Sequence, residues 1–193
     1  ALHLRGDVDV SAMRVALGDV VARHTPLRTV YRNGPTAGEP EVQVLPAGPN
    51  LVPFTERSVP LDALTAAASE YAGEPFDLAA DVPIRARLYR IDDRHQVLVL
   101  VIHHIAADGW SMMPLAGDLA TAYASRTSGK APKFPPLPRT YTEHARSYKH
   151  RLTGAPRQSL DRFWADVLAD PPAESVPPAA VPRSGGVVSA ARS

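Results

Sequence analysis

The 193-residue sequence contains no cysteine, and this absence excludes three kinds of site. Without cysteine there can be no disulfide framework, no thiolate nucleophile and no zinc site built on sulfur. An excess of one charge is also absent, because 21 Lys and Arg residues face 20 Asp and Glu residues, with no basic stripe or acidic tail. Nucleic acids and membrane surfaces are therefore not expected as partners.

Long hydrophobic runs are missing as well. The longest falls far short of the ~18 residues that a membrane span needs, and the N-terminus ALHLRGDVDV lacks the charged start and apolar stretch of a signal peptide. We therefore expect a cytoplasmic protein. Its 45% hydrophobic content is enough for a substantial core. The first predicted strand begins at the very start of the chain and residues 171–193 read as a proline-rich connector, so we expect a part of a larger protein.

Hydrophobic periodicity predicts alternating strands and helices. Strand 84–91 should have one solvated face, since its apolar residues alternate with Arg85, Arg87 and Arg90. Strand 96–104 is apolar on both faces and should lie centrally in a sheet. A hairpin between these strands argues against a purely parallel sheet, so the fold class is α/β, a mixed β-sheet covered by helices. Further strands are predicted at 2–5, 27–32 and 41–45, and helices from Asp9 or Ser11 to before Pro26 and at 60–73, 110–126, 141–152 and 158–169.

The segment HHIAADGWS, residues 103–111, continues the second of these strands. Because strand side chains alternate between faces, His103 and His104 should point to opposite sides of the sheet. The turn after them should bring Asp108 back near His104, where it can accept backbone N–H bonds or pair with an arginine. Gly109 either adopts a backbone geometry that other residues resist or leaves room for a substrate to pass.

The residues alone leave three interpretations of this segment open. In the first, both histidines are structural and Asp108 is a helix N-cap. In the second, His104 and Asp108 bind a metal, but no third ligand is evident, since His95 lies at the far end of the strand and His144 and His150 do not share a helix face. In the third, a neutral imidazole accepts a proton or orients a substrate. No nucleophile in a G-x-S-x-G setting accompanies it, so that chemistry suits direct transfer between two bound substrates.

Five segments, in the same order, resemble the condensation domains of nonribosomal peptide synthetases. HHIAADGWS resembles the histidine signature of that family. RHTPLRTVY at 23–31, EPFDLAADVPIRARLYRI at 74–91, YTEHARSYKHRL at 141–152 and FWADVLADPP at 163–172 are similar to four of its other segments. The small departures are Ala107, where a serine is usual, and Glu143 and His144, where the family prefers aspartate and an aromatic residue.

The resemblance covers nearly the whole chain but only the first part of the family's domain. The family's opening segment and second half do not occur in these 193 residues. The fold it implies is one lobe of a chloramphenicol-acetyltransferase-like pseudo-dimer, whose active site lies in a tunnel between two lobes. Residues 1–170 would be the N-terminal lobe and 171–193 a connector toward the second lobe. Since one tunnel wall would be missing, we expect the isolated fragment to be inactive.

The resemblance also implies roles for the residues of the histidine segment. His104 matches the catalytic histidine, which deprotonates or positions the amine of a carrier-bound acceptor that attacks a carrier-bound donor thioester. His103 and Asp108 match residues that are more structural than chemical. Gly109 matches a glycine at the tunnel constriction, where a side chain would obstruct a phosphopantetheine arm.

Three further residues complete the predicted site. Trp110 and Ser111 would line the substrate tunnel, although an aromatic residue at a helix start is as often part of the core. Arg28 is a local candidate to pair with Asp108, and the second lobe is the other possible source of that arginine. No metal is expected.

The implied partners are donor and acceptor peptidyl carrier proteins, the second lobe and a neighbouring adenylation domain. No cofactor would bind directly, because the phosphopantetheine arms belong to the carriers. The setting would be secondary metabolism such as antibiotic biosynthesis. The alternatives are an epimerisation-type relative, a free-standing acyltransferase and a non-catalytic lobe that docks carrier proteins. The intact histidine pair argues against relatives that recruit oxidases and have lost this motif.

Overall fold

The computed structural model describes residues 1–35, 39–48 and 50–170. The chain divides into two compact units, Ala1–His144 and Ala145–Ser193. The predicted connector at 171–193 lies outside the described residues. The strands are β1 (Leu2–Arg5), β2 (Thr29–Asn33), β3 (Pro40–Val44), β4 (Phe54–Ser58), β5 (Ile84–Asp92) and β6 (His95–Ile102). The α-helices are α1 (Val10–Arg23), α2 (Leu64–Gly73), α3 (Met112–Thr127), α4 (Tyr141–Arg151) and α5 (Gly154–Val167).

A four-stranded mixed sheet organises the first unit, with the strand order β1-β6-β5-β4. β6 runs antiparallel to both β1 and β5, whereas β4 is parallel to β5. β2 and β3 form a separate antiparallel pair. The predicted mixed sheet is confirmed. The position of β6 between two partners also confirms that its two apolar faces belong to a central strand.

An apolar cluster covers each face of the four-stranded sheet. The cluster on one face joins α1 and α3 to the sheet and contains Leu98 of β6, which is completely buried. The cluster on the other face joins α2 to the sheet and contains Val97 and Val99. This division follows from the alternation of side chains along a strand. β6 is therefore packed against apolar side chains on both faces, up to the start of the histidine segment.

The solvated face predicted for β5 is wrong. Arg85 is buried, and its guanidinium donates hydrogen bonds to the carbonyls of Tyr71, Glu74 and Pro75. It also lies 4.1 Å from the ring centroid of Phe76. The last carbonyls of a helix lack donors within the helix, and a cation there is favoured by the helix dipole. Arg85 thus holds the C-terminal end of α2 against the sheet.

Other differences from the predictions concern element boundaries and one strand. β4 was not predicted, because only Phe54 among its five residues is buried and the segment shows no apolar alternation. β2 begins at Thr29, since Thr25–Arg28 forms a 3-10 helix. The start of α1 agrees with expectation, because the carboxylate of Asp9 accepts a hydrogen bond from the Ala12 N–H at 2.9 Å.

The described part of the second unit, residues 145–170, contains the rest of α4 and α5. Its apolar side chains on α5 recur at helical spacing, yet each is at least 40% exposed. α5 also carries an i,i+4 ion pair between Arg157 and Asp161. α5 is therefore amphipathic. The exposed apolar residues of α5 and its C-terminal end are Leu160, Phe163, Trp164, Val167 and Leu168.

Candidate active site

The histidine segment begins one residue after β6, which ends at Ile102. The predicted strand was therefore two residues too long, and both histidines follow it. The His103 N–H still donates to the carbonyl of Pro83 at 3.0 Å and so extends the contact with the segment before β5. His104 begins the turn. The two side chains therefore lie in different surroundings because His103 is still bonded to the segment before β5 and His104 is in the turn. Strand alternation is not the cause.

The ring of His103 is fixed by its own turn and by an aromatic neighbour. Its Nδ1 accepts a hydrogen bond from the Ile105 N–H at 3.1 Å, so the proton of the neutral ring is on Nε2. The ring meets Phe76 edge to face, with 6.0 Å between centroids. Phe76 in turn stacks on the buried Arg85. His103 thus ties the turn to the end of α2.

Asp108 caps the 3-10 helix Gly109–Ser111 through a reciprocal pair of hydrogen bonds with Ser111. Oδ1 of Asp108 accepts from the Ser111 hydroxyl at 2.7 Å and from the Ser111 N–H at 3.0 Å, while the Asp108 N–H donates to the Ser111 hydroxyl oxygen at 3.1 Å. The hydroxyl bond is the main reason that the pKa of Asp108 is lowered. The backbone bond from Ser111 adds to it, and the positive charge of a protonated His104 contributes less. Asp108 is therefore ionised at neutral pH and close to His104.

Arg28 does not pair with Asp108 within the described residues. Its guanidinium donates to the Leu45 carbonyl, and its Nε is buried without a hydrogen-bond partner. The carboxylate of Asp108 is instead bonded to Ser111. A pair between Arg28 and Asp108 stays a prediction.

Gly109 does not need the backbone freedom of glycine. The glycines with positive φ in the described part of the chain are Gly6, Gly129 and Gly154. A Cβ built on Gly109 would have no atom within 4 Å. The backbone explanation of this glycine is therefore wrong, and the alternative that it leaves room for a substrate stays a prediction.

The side chains after Gly109 are unusually open to solvent. Trp110 is 92% exposed and Met113 is 80% exposed, so neither belongs to the core of the described chain. Isolated apolar side chains are common on surfaces. Ser111 lines the cavity beside this loop, whereas Gly109 and Trp110 are not among the residues that line it.

A cavity of about 660 Å³ opens beside this loop and lies entirely within the first unit. His104, Asp108 and Ser111 line one part of it. The residue that ends α1 and the one after it, Arg23 and His24, line another. The start of α4 and the segment before it contribute Arg139, Tyr141 and His144.

Sequence reasoning did not anticipate the contribution of Arg23 and His24 to this cavity. Both side chains bond to the same oxygen of Asp118 on α3: Arg23 Nε at 2.8 Å and His24 Nε2 at 2.7 Å. The sequence signal for these two residues was the segment 23–31, which resembles a segment of the family. That resemblance assigned no function to Arg23 or His24. Asp118 lies more than 90 residues away in sequence and gave no signal.

No three metal-ligating side chains converge anywhere in residues 1–35, 39–48 and 50–170. Within the same residues, no helix is both long and apolar enough to cross a membrane. What the loop does present is an imidazole on a cavity, an ionised carboxylate beside it and no activated nucleophile. These groups can move a proton and orient a polar substrate.

The described chain is a mixed α/β fold with a polar cavity beside the histidine segment, and comparison with known proteins gives the family. The condensation-domain family model matches residues 1–190, so the chain belongs to the condensation-domain family. It is 40% identical to the isonitrile lipopeptide synthase of Mycobacterium tuberculosis over 97% of this chain and 8% of that protein. It is 36% identical to the phosphinothricin tripeptide synthetase PhsB of Streptomyces viridochromogenes, over 95% of this chain and 16% of that one.

Solved structures agree with this assignment and with the predicted chloramphenicol-acetyltransferase-like fold. The X-domain in complex with OxyB from teicoplanin biosynthesis has a TM-score of 0.82 and 34% identity. That match covers 91% of this chain and 39% of the X-domain chain. The epimerization domain from the third module of tyrocidine synthetase B, at 19% identity and a TM-score of 0.75, shares the fold. The chain therefore spans well under half the length of the relatives that it matches.

Proposed function

We propose that residues 1–170 are the N-terminal lobe of a condensation domain that forms an amide between two carrier-bound substrates. The observation that carries this proposal is the position of His104 on the cavity, beside an ionised Asp108 and without a nucleophile of its own. Membership of the condensation-domain family supports it.

In the proposed reaction, the amine of an acceptor aminoacyl group attacks the carbonyl carbon of a donor thioester. A carbon–nitrogen bond forms and the carbon–sulfur bond breaks. The nitrogen loses one proton to the imidazole of His104, and that proton passes to the departing thiolate, which leaves as a thiol. An imidazole suits this task because it exchanges protons near neutral pH. No acyl-enzyme is required, which agrees with the absence of cysteine from the sequence.

The other residues of the loop hold His104 where it can act. His103 fixes the turn through the Ile105 N–H and Phe76. Asp108 and Ser111 cap the 3-10 helix that follows. These groups are positioning residues, since their observed partners are parts of the protein itself.

The space at Gly109 fits a thin, flexible phosphopantetheine arm. A Cβ at this position would meet no atom, and the neighbouring Trp110 presents its ring to solvent rather than to the core. The arms would bring both substrates, on donor and acceptor carrier proteins, to His104. A second lobe, supplied by the part of the relatives that this chain does not span, would complete the tunnel wall along Trp110 and Ser111. An adenylation domain would load the carriers, and the assembly would work in the cytoplasm.

Partner binding without catalysis is the second candidate function. The observation that favours it is the X-domain at 34% identity, whose solved structure is a complex with OxyB. Epimerisation is a weaker alternative, because the epimerization domain shares only the fold at 19% identity. In either case the cavity would bind carriers or partners, and amide transfer would not depend on His104.

The experiment uses the natural polypeptide that contains these 193 residues, with its donor and acceptor carriers loaded. Intact-protein mass spectrometry follows the donor acyl mass in the wild type and in His104→Ala. We expect the mass to move to the acceptor carrier only in the wild type. Free acyl-CoA is offered as an alternative donor, and it should not replace the loaded carrier.

Each other outcome points to a different function. Equal transfer by His104→Ala, or no wild-type transfer to any acceptor, contradicts amide formation at this site. Exchange of the acceptor Cα proton with solvent deuterium, in the absence of transfer, would identify epimerisation. Transfer from free acyl-CoA alone would identify a free-standing acyltransferase.

A further inference from the structure

Two ion pairs join α1 to α3, and only one of them touches the cavity. Arg126 on α3 donates two hydrogen bonds to Asp19 on α1, at 2.6 and 2.7 Å. At the other end, Arg23 of α1 donates to Asp118 of α3 at 2.8 Å. The crossed order of these partners shows that the two helices are antiparallel. Neither Asp19 nor Arg126 lines the cavity, whereas Arg23 does.

Arg23 makes several contacts that hold α1 against its neighbours at the end near the cavity. Besides its bond to Asp118, it donates to the carbonyl of Pro135 at 2.8 Å and stacks on the ring of Phe134 at 4.9 Å. Arg23 already joins α1 to α3 at this end, so the bond from His24 Nε2 to the same Asp118 oxygen is additional to that contact. A carboxylate bonded to one nitrogen of a histidine fixes both the tautomer and the orientation of the ring. The arrangement holds His24 in one position on the cavity wall.

The bond to Asp118 also determines which nitrogen of His24 remains available. Nε2 is the donor, so in the neutral ring Nδ1 carries the lone pair. No donor among the described residues bonds to Nδ1. His24 is about one-fifth exposed and lines the same cavity as His104. The cavity therefore has two imidazoles, one in the loop after β6 and one at the end of α1.

We propose that His24, oriented by Asp118, binds the acceptor substrate by accepting a hydrogen bond from its amine through Nδ1. This inference rests on the proposed amide-forming function. An amine that attacks a thioester presents its lone pair to the carbonyl carbon and keeps two N–H groups. His104 takes the proton from one of them. His24 holds the other, which aligns the lone pair for attack.

Two substitutions separate the nitrogens of His24. His24→Gln places an amide near the position of Nε2, so it keeps the bond to Asp118 and removes the Nδ1 acceptor. His24→Asn places its amide near Nδ1 and gives up the bond to Asp118. Loss of one hydrogen bond to a substrate is equivalent to about tenfold in binding. We expect His24→Gln to raise the KM for the acceptor about tenfold, with kcat changed less, and His24→Asn to raise the KM by a smaller factor.

The matched control is Asp19→Asn, which weakens the other contact between the same helices, away from the cavity. The thermal midpoint of unfolding is measured for all three variants. We expect it to fall in Asp19→Asn and His24→Asn and to change least in His24→Gln. If the KM instead follows the thermal midpoint across the variants, His24 is only structural and the proposal is overturned.

The acceptors are aminoacyl-pantetheine thioesters of the twenty proteinogenic amino acids, screened first with the wild-type polypeptide and a loaded donor carrier. The best acceptor is then used for the kinetic comparison. Transfer by the wild type with an unchanged acceptor KM in His24→Gln overturns this inference alone. No transfer to any acceptor overturns the proposed function and this inference with it.

Discussion

Two neighbouring stretches of the chain, residues 97–99 inside β6 and residues 103–111 just after it, are held in place by different forces. Val97, Leu98 and Val99 are buried between two apolar clusters that cover the sheet from both sides. Most residues of the later stretch are half-buried or exposed, and local hydrogen bonds hold them. Strand packing therefore supplies a rigid base, and local capping bonds place His104 on the cavity without burying it. The stability of the protein and its chemistry should respond to different substitutions.

Apart from the loss of His104 itself, the largest expected effect is on activity, from Gly109→Leu. A Cβ at Gly109 meets no protein atom and φ is not positive, so the fold should accept the side chain. The leucine would fill space that we assign to the substrate, and misplacing a reacting group by about 1 Å can cost ~100-fold in rate. We expect at least that loss in acyl transfer, with an unchanged thermal midpoint of unfolding.

Gly117→Leu is the matched control for this substitution. Gly117 lies on α3 and also has open space around its Cβ. Neither Gly117 nor its chain neighbours line the cavity, whereas Gly109 directly follows Asp108, which does. Gly117→Leu should leave transfer unaffected. Unfolding of Gly109→Leu would show that Gly109 serves the turn. Equal transfer by the two variants would show that the space beside Gly109 is not used by the substrate.

The second effect is on stability, from Leu98→Ala. Leu98 is completely buried in the cluster under α1 and α3. Truncation of a buried leucine costs about 2–5 kcal/mol, because apolar surface is lost and a cavity remains. Urea unfolding should show this loss in the free energy of unfolding. Met113→Ala, at an 80% exposed side chain beyond the loop, should change it by about 0.5 kcal/mol or less. Equal losses would contradict the division between packed strand and locally held loop.

The smallest effect is on the titration of Asp108, from Ser111→Ala. The Ser111 hydroxyl is the main cause of the lowered pKa of Asp108, so its removal should raise that pKa toward the ordinary value. A carboxyl whose pKa is lowered on folding stabilises the protein above its unfolded pKa, and this contribution is lost as the pH falls through the folded pKa. The variant should therefore lose part of that contribution at neutral pH.

Carboxyl carbon chemical shifts, followed by NMR across the acid range, measure this pKa. Ser125→Ala is the control, because the Ser125 hydroxyl bonds to the Thr121 carbonyl within α3. It should leave the titration of Asp108 where it is. A titration of Asp108 that is the same in Ser111→Ala and the wild type would contradict the capping account.

The features that could be predicted from the sequence are those built from nearby residues. His104, Asp108 and Ser111 lie within eight residues of one another, so the turn that brings them together is local. The central position of β6 followed from its own apolar run, and the Asp9 cap from its place before α1. The burial of Arg85 and the bond between His24 and Asp118 depend on helices packing against distant segments. The hydrophobic periodicity around Arg85 or around His24 does not show which distant segment packs there.

The most direct test of the account compares His103→Ala with His104→Ala in single-turnover acyl transfer between loaded carriers. Loss of a positioned acid–base group costs about 10²–10⁴-fold, so we expect that loss in His104→Ala with an unchanged thermal midpoint. His103→Ala loses the bond from Ile105 and the contact with Phe76, so it should unfold at a lower temperature yet retain measurable transfer below that temperature. Transfer at the wild-type rate by His104→Ala would contradict the assignment of the chemistry to the end of β6.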